Sequence, residues 1–270
     1  MKYESTHNLQ LPKIGFGTWT IGGRSTPERS QDARSLAALR SALELGYTHF
    51  DTAETYAHGH AEELLGQAVR ACGLRREALM ITSKVAPEHL APADVLQACE
   101  NSLRNLGLEY IDLYLIHWPG VGMHLDQTFR ALNKLVTDGK VRHLGVSNFD
   151  LKLLKQAQSL CETPIVCDQV PYSLSDRTYV RNGVLAYCQA NNILLTAYSP
   201  IKQGSAGLNP AVQSIARAHQ ATPHQVALAW LAQQARVITI PMSFDPGHQA
   251  QNLAAAGIDL SAAEMEQLSV

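Results

Sequence analysis

The chain has 270 residues with a formal net charge of −2 at pH 7, which gives no general attraction to nucleic acid or to an anionic membrane surface. Its five cysteines form no C-x-x-C pair, a pattern that argues against a disulfide scaffold and against a zinc knuckle. No apolar run approaches the roughly 18 residues of a membrane helix, and the first residues lack the apolar run of a signal peptide, so we expect a cytoplasmic protein.

Short apolar segments alternate with longer amphipathic segments along the chain. Residues 2–11 are predicted to form a short β-hairpin that closes the bottom of the fold. Strands are predicted at residues 14–18, 48–51, 79–84, 111–117, 143–147, 165–169, 193–198 and 237–241. Helices are predicted at residues 31–44, 61–71, 92–106, 125–138, 150–160, 179–191, 211–234 and 248–256. In the third of these helices Val95, Cys99, Leu103 and Leu106 recur at helical spacing.

Eight strands that alternate with helices predict parallel pairing through right-handed crossovers. An open dinucleotide-binding sheet usually carries G-x-G-x-x-G after its first strand. Here Gly15 and Gly17 provide two of the glycines, but Thr20 stands at the third position and no helical pattern follows at once. The sequence therefore favours an α/β (β/α)₈ TIM barrel, and residues 1–270 are expected to form a single domain of this kind.

Polar side chains stand at or just after successive strand ends, which in such a barrel meet at one mouth. Asp51 ends the second strand and Tyr56 follows it, while Lys84 ends the third strand and His117 the fourth. A carbonyl that accepts hydride needs a proton on its oxygen. Tyr56 could supply that proton if Lys84 lowered its pKa and Asp51 held Lys84 in place, and His117 could bind the carbonyl oxygen.

Each of these residues has an ordinary structural explanation when it is taken alone. An Asp that ends a strand is more often a helix cap, and a single tyrosine at a strand end is usually a rim aromatic. A lone Lys84 would be a solvated loop residue, and His117 would be a packed core histidine. Only the joint placement at successive strand ends favours the catalytic interpretation.

Four segments carry a resemblance to a known family: GYTHFDTAETY at 46–56, IDLYLIHWP at 111–119, GKVRHLGVSNF at 139–149, and Ile-Pro-x-Ser at 240–243. In order and spacing they resemble the aldo-keto reductase family, and in particular its short bacterial members that reduce small aldehydes, methylglyoxal or diketogluconate. The resemblance implies a catalytic tetrad of Asp51, Tyr56, Lys84 and His117. It also implies NADP(H) bound across the barrel mouth and the reduction of aldehydes or ketones to alcohols without a metal.

The same resemblance implies the residues that contact the cofactor. Ser147, Asn148 and Gln169 match ligands of the nicotinamide carboxamide, and Tyr198 matches the aromatic side chain that stacks on the nicotinamide. The remaining matches are Ser199, Pro200 and Gly204 in the loop over the pyrophosphate, and Ser243, His248 and Asn252 at the adenosine end.

The sequence departs from the family pattern at the adenosine end. Met242 and His248 occupy the positions of the usual Lys and Arg that grip the 2′-phosphate of NADPH, and Gln251 replaces a usual Glu. Charge-assisted contacts are the strong ones, so their loss is expected to weaken NADPH binding. We therefore expect a relaxed preference that allows NAD(H).

The substrate pocket is expected to be open, because the chain stops soon after Glu264 and the segment 120–125 is short. Trp19, Trp118 and Tyr172 are expected to line it. The predicted partner is a small carbonyl compound, with no nucleic acid and no membrane, and the family resemblance implies a monomer.

Two other functions remain open from the residues. A metal-dependent hydrolase on the same barrel would use the pair His58 and His60 with Asp51, Glu54 or His117. The two histidines are expected instead to be solvated residues near a helix start, because such ligand pairs normally lie on a barrel strand. A non-catalytic nucleotide-binding regulatory subunit is the other alternative.

Overall fold

The computed structural model describes residues 2–201 and 209–269. A hairpin of two antiparallel strands opens the chain, β1 (Tyr3–Thr6) and β2 (Leu9–Pro12). Eight further strands follow in the described residues: β3 (Phe16–Gly17), β4 (His49–Asp51), β5 (Met80–Val85), β6 (Ile111–Ile116), β7 (Val141–Ser147), β8 (Ile165–Pro171), β9 (Leu194–Tyr198) and β10 (Val237–Thr239).

These eight strands pair in parallel and in sequence order from β3 to β10. The two edges then meet through a parallel bridge between Ile14 and Thr239. The Gly15 amide donates to the Thr239 carbonyl over 2.8 Å, and the Thr239 amide donates to the Lys13 carbonyl over 2.9 Å. The sheet is thus closed, and the predicted (β/α)₈ barrel is confirmed.

The described helices surround this sheet. They are α1 (Asp32–Glu44), α2 (His60–Ala71), α3 (Pro92–Leu106), α4 (Leu125–Thr137), α5 (Leu151–Leu160), α6 (Thr178–Arg181), α7 (Val184–Ala190), α8 (Pro210–Ala218), α9 (Pro223–Gln233), α10 (Pro246–Ala254) and α11 (Ala262–Leu268). In α3 the residues Val95, Cys99, Leu103 and Leu106 are buried, as their spacing predicts. Among the described helices, none is long and apolar enough to cross a membrane.

Several predicted boundaries were wrong. The helix predicted at 211–234 is two helices, because Thr222 and Gln225 form a capping box and Pro223 takes the first position of α9. The helix predicted at 179–191 is also divided, with Gly183 at φ +87° between α6 and α7. The first barrel strand spans two residues rather than the five predicted, and α11, capped by Ser261, was not predicted.

The N-terminal hairpin packs against the barrel interior. Leu9 and Leu11 share a buried cluster with Val166, Leu194 and Ile238, which lie in three different barrel strands. Val166 and Leu194 stand at the beginnings of β8 and β9. The hairpin therefore covers the N-terminal ends of the strands, as the sequence predicts, and the opposite mouth remains open.

Candidate active site

A cavity of about 620 Å³ opens at the C-terminal ends of the strands. The predicted residues that line it are Trp19, Asp51, Tyr56, His117, Trp118, Ser147, Asn148, Gln169, Tyr198, Ser199 and Pro200. These residues come from distant parts of the chain. They converge because parallel strands in a barrel all end at the same face.

Lys84 is the centre of the polar cluster at the bottom of this cavity. Its ammonium is fully buried and donates to Asp51 Oδ1 over 2.6 Å, to the Thr52 carbonyl over 2.7 Å and to Tyr56 Oη over 3.2 Å. All three ammonium protons therefore have an acceptor. The side chain cannot turn away from Tyr56 without leaving a buried charge unpaired.

The charges in this cluster act on one another. Burial lowers the pKa of Lys84, but the charges of Asp51 and Tyr56 and their hydrogen bonds more than offset burial, so the pKa is raised. Burial also raises the pKa of Tyr56 above its ordinary value, and Lys84 opposes that effect only in part. The expected lowering effect of Lys84 on the Tyr56 pKa is present, but burial outweighs it. Tyr56 therefore stays protonated at neutral pH, with a cation beside it to stabilise its phenolate.

Tyr56 is presented by a left-handed turn. The three residues that follow it, Ala57, His58 and Gly59, have φ values of +47°, +51° and +85°. The Ala57 amide donates to the Arg24 carbonyl over 2.7 Å, which ties the turn to the loop after β3. This turn holds Tyr56 over Lys84 before α2 begins.

His117 lies beside Tyr56, with their ring centroids 5.6 Å apart and the rings nearly perpendicular. Burial, together with the nearby charge of Lys84, lowers the pKa of His117 to about 3. The imidazole is therefore neutral near pH 7. Thr55 Oγ1 lies 3.2 Å from His117 Nδ1, so a hydroxyl proton donated to Nδ1 leaves the proton of the ring on Nε2.

A hydrogen-bond network joins the other predicted cofactor residues. Tyr198 Oη donates to Asn148 Oδ1 over 2.9 Å, and Asn148 Nδ2 donates to Ser147 Oγ over 2.9 Å. Ser147 Oγ in turn donates to the Gln169 carbonyl over 2.7 Å, and Gln169 Nε2 donates to Asp51 Oδ2 over 2.7 Å. Asn148 holds this position with φ at +63°. The network runs from Tyr198 to the Asp51–Lys84–Tyr56 cluster.

The remaining predicted cofactor residues lie beyond this network. Ser199 and Pro200 line the cavity, with Ser199 at φ +49°, whereas Gly204 lies outside the described residues. Met242 lines the cavity and leads into the segment that carries the other predicted positions. In that segment Ser243 Oγ accepts from the Asp245 amide, His248 is exposed near the start of α10, and Asn252 is buried on α10.

Two of the three residues predicted for the substrate pocket line the cavity, and the third does not. Trp19 and Trp118 line the cavity and are about half exposed, and the Trp19 ring lies edge-on to Tyr56 with centroids 5.0 Å apart. Tyr172 is buried instead. Its hydroxyl donates to Gln234 Oε1 over 2.7 Å, and its ring packs against Trp230.

The reason for the position of Tyr172 is the two-residue period of a strand. Tyr172 directly follows β8 and stands three residues after Gln169, so it points to the opposite face. Val170 shares that face and the same buried cluster as Tyr172. Side-chain parity was the signal that would have excluded Tyr172 from the pocket.

His58 and His60 differ in solvent exposure. His58 is exposed, whereas His60 is buried, so the expectation that both are solvated was wrong for His60. Its two ring nitrogens lie 2.7 Å from carboxylate oxygens of Asp32 and Glu63. Among the residues that the structure describes, no group of three or more His, Cys, Asp or Glu side chains is arranged to hold a metal ion.

Some residues of the site were missed. Thr55 bonds to His117, and Gly17 lines the cavity so close to the Ile240 carbonyl that an added Cβ would lie 2.7 Å from it. Thr55 stands next to Tyr56 in a segment already singled out, so its hydroxyl was a usable signal. Asp245 caps α10, and its place directly before Pro246 is typical of a helix start.

Comparison with known proteins places this geometry in a family. A model of the aldo/keto reductase family matches residues 13–269. Methylglyoxal reductase YeaE of Escherichia coli strain K12 is 38% identical over an alignment of 271 positions, and the alignment covers 97% of this chain and 91% of that protein.

Two solved structures show the same relationship. The thermostable aldo-keto reductase Tm1743, in complex with the inhibitor epalrestat, is 44% identical with a TM-score of 0.96 and covers 100% of this chain and 99% of its own. An aldo/keto reductase from Klebsiella pneumoniae, in complex with NADP and acetate, is 37% identical with a TM-score of 0.87. The alignment covers 98% of this chain and 94% of that chain. The resemblance in the sequence is thus confirmed, and the chain belongs to the aldo/keto reductase family of carbonyl oxidoreductases.

Proposed function

We propose that this protein reduces small aldehydes and ketones with NADPH, and that Tyr56 donates the proton. The observation that supports this proposal most is the fully buried Lys84 ammonium, 3.2 Å from Tyr56 Oη and 2.6 Å from Asp51 Oδ1. A bound reduced nicotinamide would supply the hydride. All other steps belong to side chains of this chain.

Tyr56 gives its proton to the carbonyl oxygen as negative charge develops there. Its raised pKa keeps the proton in place before the reaction. Lys84 then stabilises the phenolate that remains, and Asp51 keeps the Lys84 ammonium charged and oriented. The neutral His117, whose pKa is lowered to about 3, offers an N–H to the carbonyl oxygen without competing for the proton.

The residues at the mouth fit a nicotinamide. A carboxamide has an N–H₂ group that donates and an oxygen that accepts. Gln169 lines the cavity, and its Oε1 makes no hydrogen bond with the residues that the structure describes, so an acceptor is available there. The side chains of Ser147 and Asn148 complete the polar lining, and Tyr198 offers an aromatic face.

We propose that the cofactor preference is relaxed, so that NADH is used better than in relatives that carry two cations at the adenosine end. Met242 provides no charge to a 2′-phosphate, and His248 lies 3.9 Å from the Asp245 carboxylate. The comparison of kcat/KM for NADPH and NADH tests this preference. A strong preference for NADPH would contradict it.

The substrate class follows from the shape of the cavity and from one relative. About 620 Å³ with two half-exposed tryptophans, Trp19 and Trp118, suits small carbonyl compounds of varied structure. The Escherichia coli relative is named for methylglyoxal. We therefore propose methylglyoxal and other small aldehydes as substrates.

The test is cofactor oxidation, followed by absorbance, with methylglyoxal and a panel of aldehydes, dicarbonyls and sugars. Tyr56→Phe is expected to lower kcat by roughly 10²- to 10⁴-fold, the usual contribution of a general acid, with NADPH affinity retained. Cofactor binding without turnover for every substrate would favour the regulatory subunit instead. Substrate loss that needs an added metal ion and proceeds without cofactor oxidation would favour the hydrolase.

We further propose that residues 1–270 act as one domain, as a monomer and in the cytoplasm, without nucleic acid or membrane. All five cysteines are unpaired, which suits a reducing compartment. Sedimentation at micromolar concentration tests the monomer, and a dimer would contradict it.

A further inference from the structure

The segment from Met242 to His248 lies where the cofactor's adenosine end is expected, and its own charges do not favour a phosphate. Met242 and His248 stand in place of two cations. Asp245 adds a carboxylate, whose Oδ1 accepts a hydrogen bond from the His248 backbone amide over 2.8 Å at the start of α10. Asp245 is the one side chain of this segment with a fixed charge, and that charge repels a phosphate.

A cation from another element is placed on this segment. The Arg34 guanidinium of α1 stacks on the Phe244 ring with its Cζ 4.2 Å from the ring centroid. Arg34 is exposed and makes no hydrogen bond or ion pair with any residue in 2–201 and 209–269. A stacked guanidinium keeps its five N–H groups in the plane, where a phosphate can accept two of them.

Buried contacts hold the two elements in register. Gln249 on α10 donates to the Ala38 carbonyl of α1 over 3.0 Å. Tyr47, which follows α1, donates to the Gln249 carbonyl over 2.8 Å. Phe244 packs against the main core, so the surface on which Arg34 stacks is itself fixed. These contacts therefore hold the helix that carries Arg34 beside the segment that carries Phe244.

We propose that Arg34, held on the face of Phe244, binds the 2′-phosphate of NADPH and takes the place of the two missing cations. This inference rests on the proposed function, because it concerns the cofactor of the same site. The positive charge of Arg34 offsets the repulsion between the phosphate and the Asp245 carboxylate. The protein therefore keeps a moderate preference for the phosphorylated cofactor. Without Arg34 the preference turns to NADH.

The experiment measures binding of two small nucleotides that differ only in the 2′-phosphate, adenosine 2′,5′-bisphosphate and adenosine 5′-monophosphate, by calorimetry on the full chain. Arg34→Ala is expected to weaken binding of the bisphosphate roughly 10- to 100-fold, the usual effect of losing charge-assisted hydrogen bonds, and to leave the monophosphate within about twofold. Arg34→Lys should recover part of the loss. Phe244→Leu removes the stacking surface and should also weaken binding of the bisphosphate.

Arg40→Ala is the matched control, because Arg40 is also exposed on α1 but is not the cation stacked on Phe244. It is expected to leave both affinities unchanged. Equal loss for both nucleotides in Arg34→Ala, or no loss for either, would overturn the role of Arg34. If wild-type protein oxidises NADPH with methylglyoxal in either of those cases, the proposed function stands and this inference alone fails. If it neither binds the nucleotides nor oxidises cofactor, both fail.

Discussion

Gln169 donates from Nε2 to Asp51 Oδ2 over 2.7 Å, while Lys84 holds the other oxygen of the same carboxylate over 2.6 Å. Gln169 also lines the cavity next to Ser147 and Asn148. The residue predicted to meet the cofactor is therefore in direct contact with the cluster predicted to supply the proton. Asp51 is 1% exposed, so these two donors replace the water that would otherwise solvate its charge.

Replacing Gln169 should therefore destabilise the protein without ligand. Gln169→Met removes the donor to a buried carboxylate and is expected to cost about 1.5–3 kcal/mol of unfolding free energy, measured by urea denaturation.

Gln169→Glu sharpens this prediction. The new carboxyl would lie beside Asp51 in a buried place, so its folded pKa should be raised and its protonated form favoured. The protonated Glu side chain then stabilises the folded state at low pH, and this contribution is lost as the pH rises through the folded pKa. We expect this variant to be closer to wild type at pH 5 than at pH 8. Equal losses at both values would contradict the bond to Asp51.

Removing Lys84 should be costly for stability as well as for catalysis. Lys84→Met leaves the Asp51 carboxylate buried with one donor fewer, and breaking a buried ion pair in this way costs about 3–5 kcal/mol. The double variant Lys84→Met with Asp51→Asn removes both charges and should recover much of that stability. Turnover should stay low in both variants, because Tyr56 has lost its cation. A double variant as unstable as the single one would refute the explanation by unpaired charge.

The two directions of the reaction should differ in pH dependence. The Tyr56 pKa is raised, so the acid form needed for reduction persists through neutral pH, and kcat/KM for reduction should fall only in alkaline solution, above the ordinary tyrosine value of about 10. Oxidation of the alcohol needs the phenolate, so its kcat/KM should rise with pH. Profiles at saturating cofactor measure both.

His117 should cause no inflection on the acid side of these pH profiles. Its pKa is lowered to about 3 by burial and by Lys84, so it stays neutral across the working range. An acid limb near pH 6.5 for reduction, removed by His117→Asn, would show that His117 titrates and would contradict this assignment.

His49 should make stability depend on pH. It is buried in β4 with Nε2 3.0 Å from Thr82 Oγ1, and burial lowers its pKa to about 4. In the unfolded chain its pKa is about 6.5, so the unfolded state binds more protons between these values and stability falls as the pH falls.

The variant His49→Gln keeps a group that can bond to Thr82 but does not titrate. Its unfolding free energy should fall less between pH 6.5 and pH 4.5 than that of wild type, by up to about 1.4 kcal/mol per pH unit for one proton. Urea denaturation at several pH values gives both slopes. Identical slopes would mean that His49 is not the group that titrates.

Most of the site could be predicted because strand parity and strand direction are local properties. Asp51, Lys84 and Gln169 each stand among the last three residues of a strand, and parallel strands bring their ends to one mouth whatever the helices do. The helix break before α9 was also readable from Thr222 and Pro223, but the apolar run on both sides obscured it. Tyr172 was wrongly predicted to line the pocket. The prediction considered only how close Tyr172 stands to the strand end and not which face of the sheet its side chain occupies.

By itself, the sequence determined the barrel, the family and the four polar side chains at the mouth, because these depend on periodicity and on motifs within short segments. The tertiary structure alone decided three other features: His60 lies between Asp32 and Glu63, Arg34 stacks on Phe244, and burial outweighs Lys84 in its effect on the Tyr56 pKa. Each depends on contacts between segments far apart in the chain and on how much water the packing excludes. Neither quantity is encoded in any local pattern.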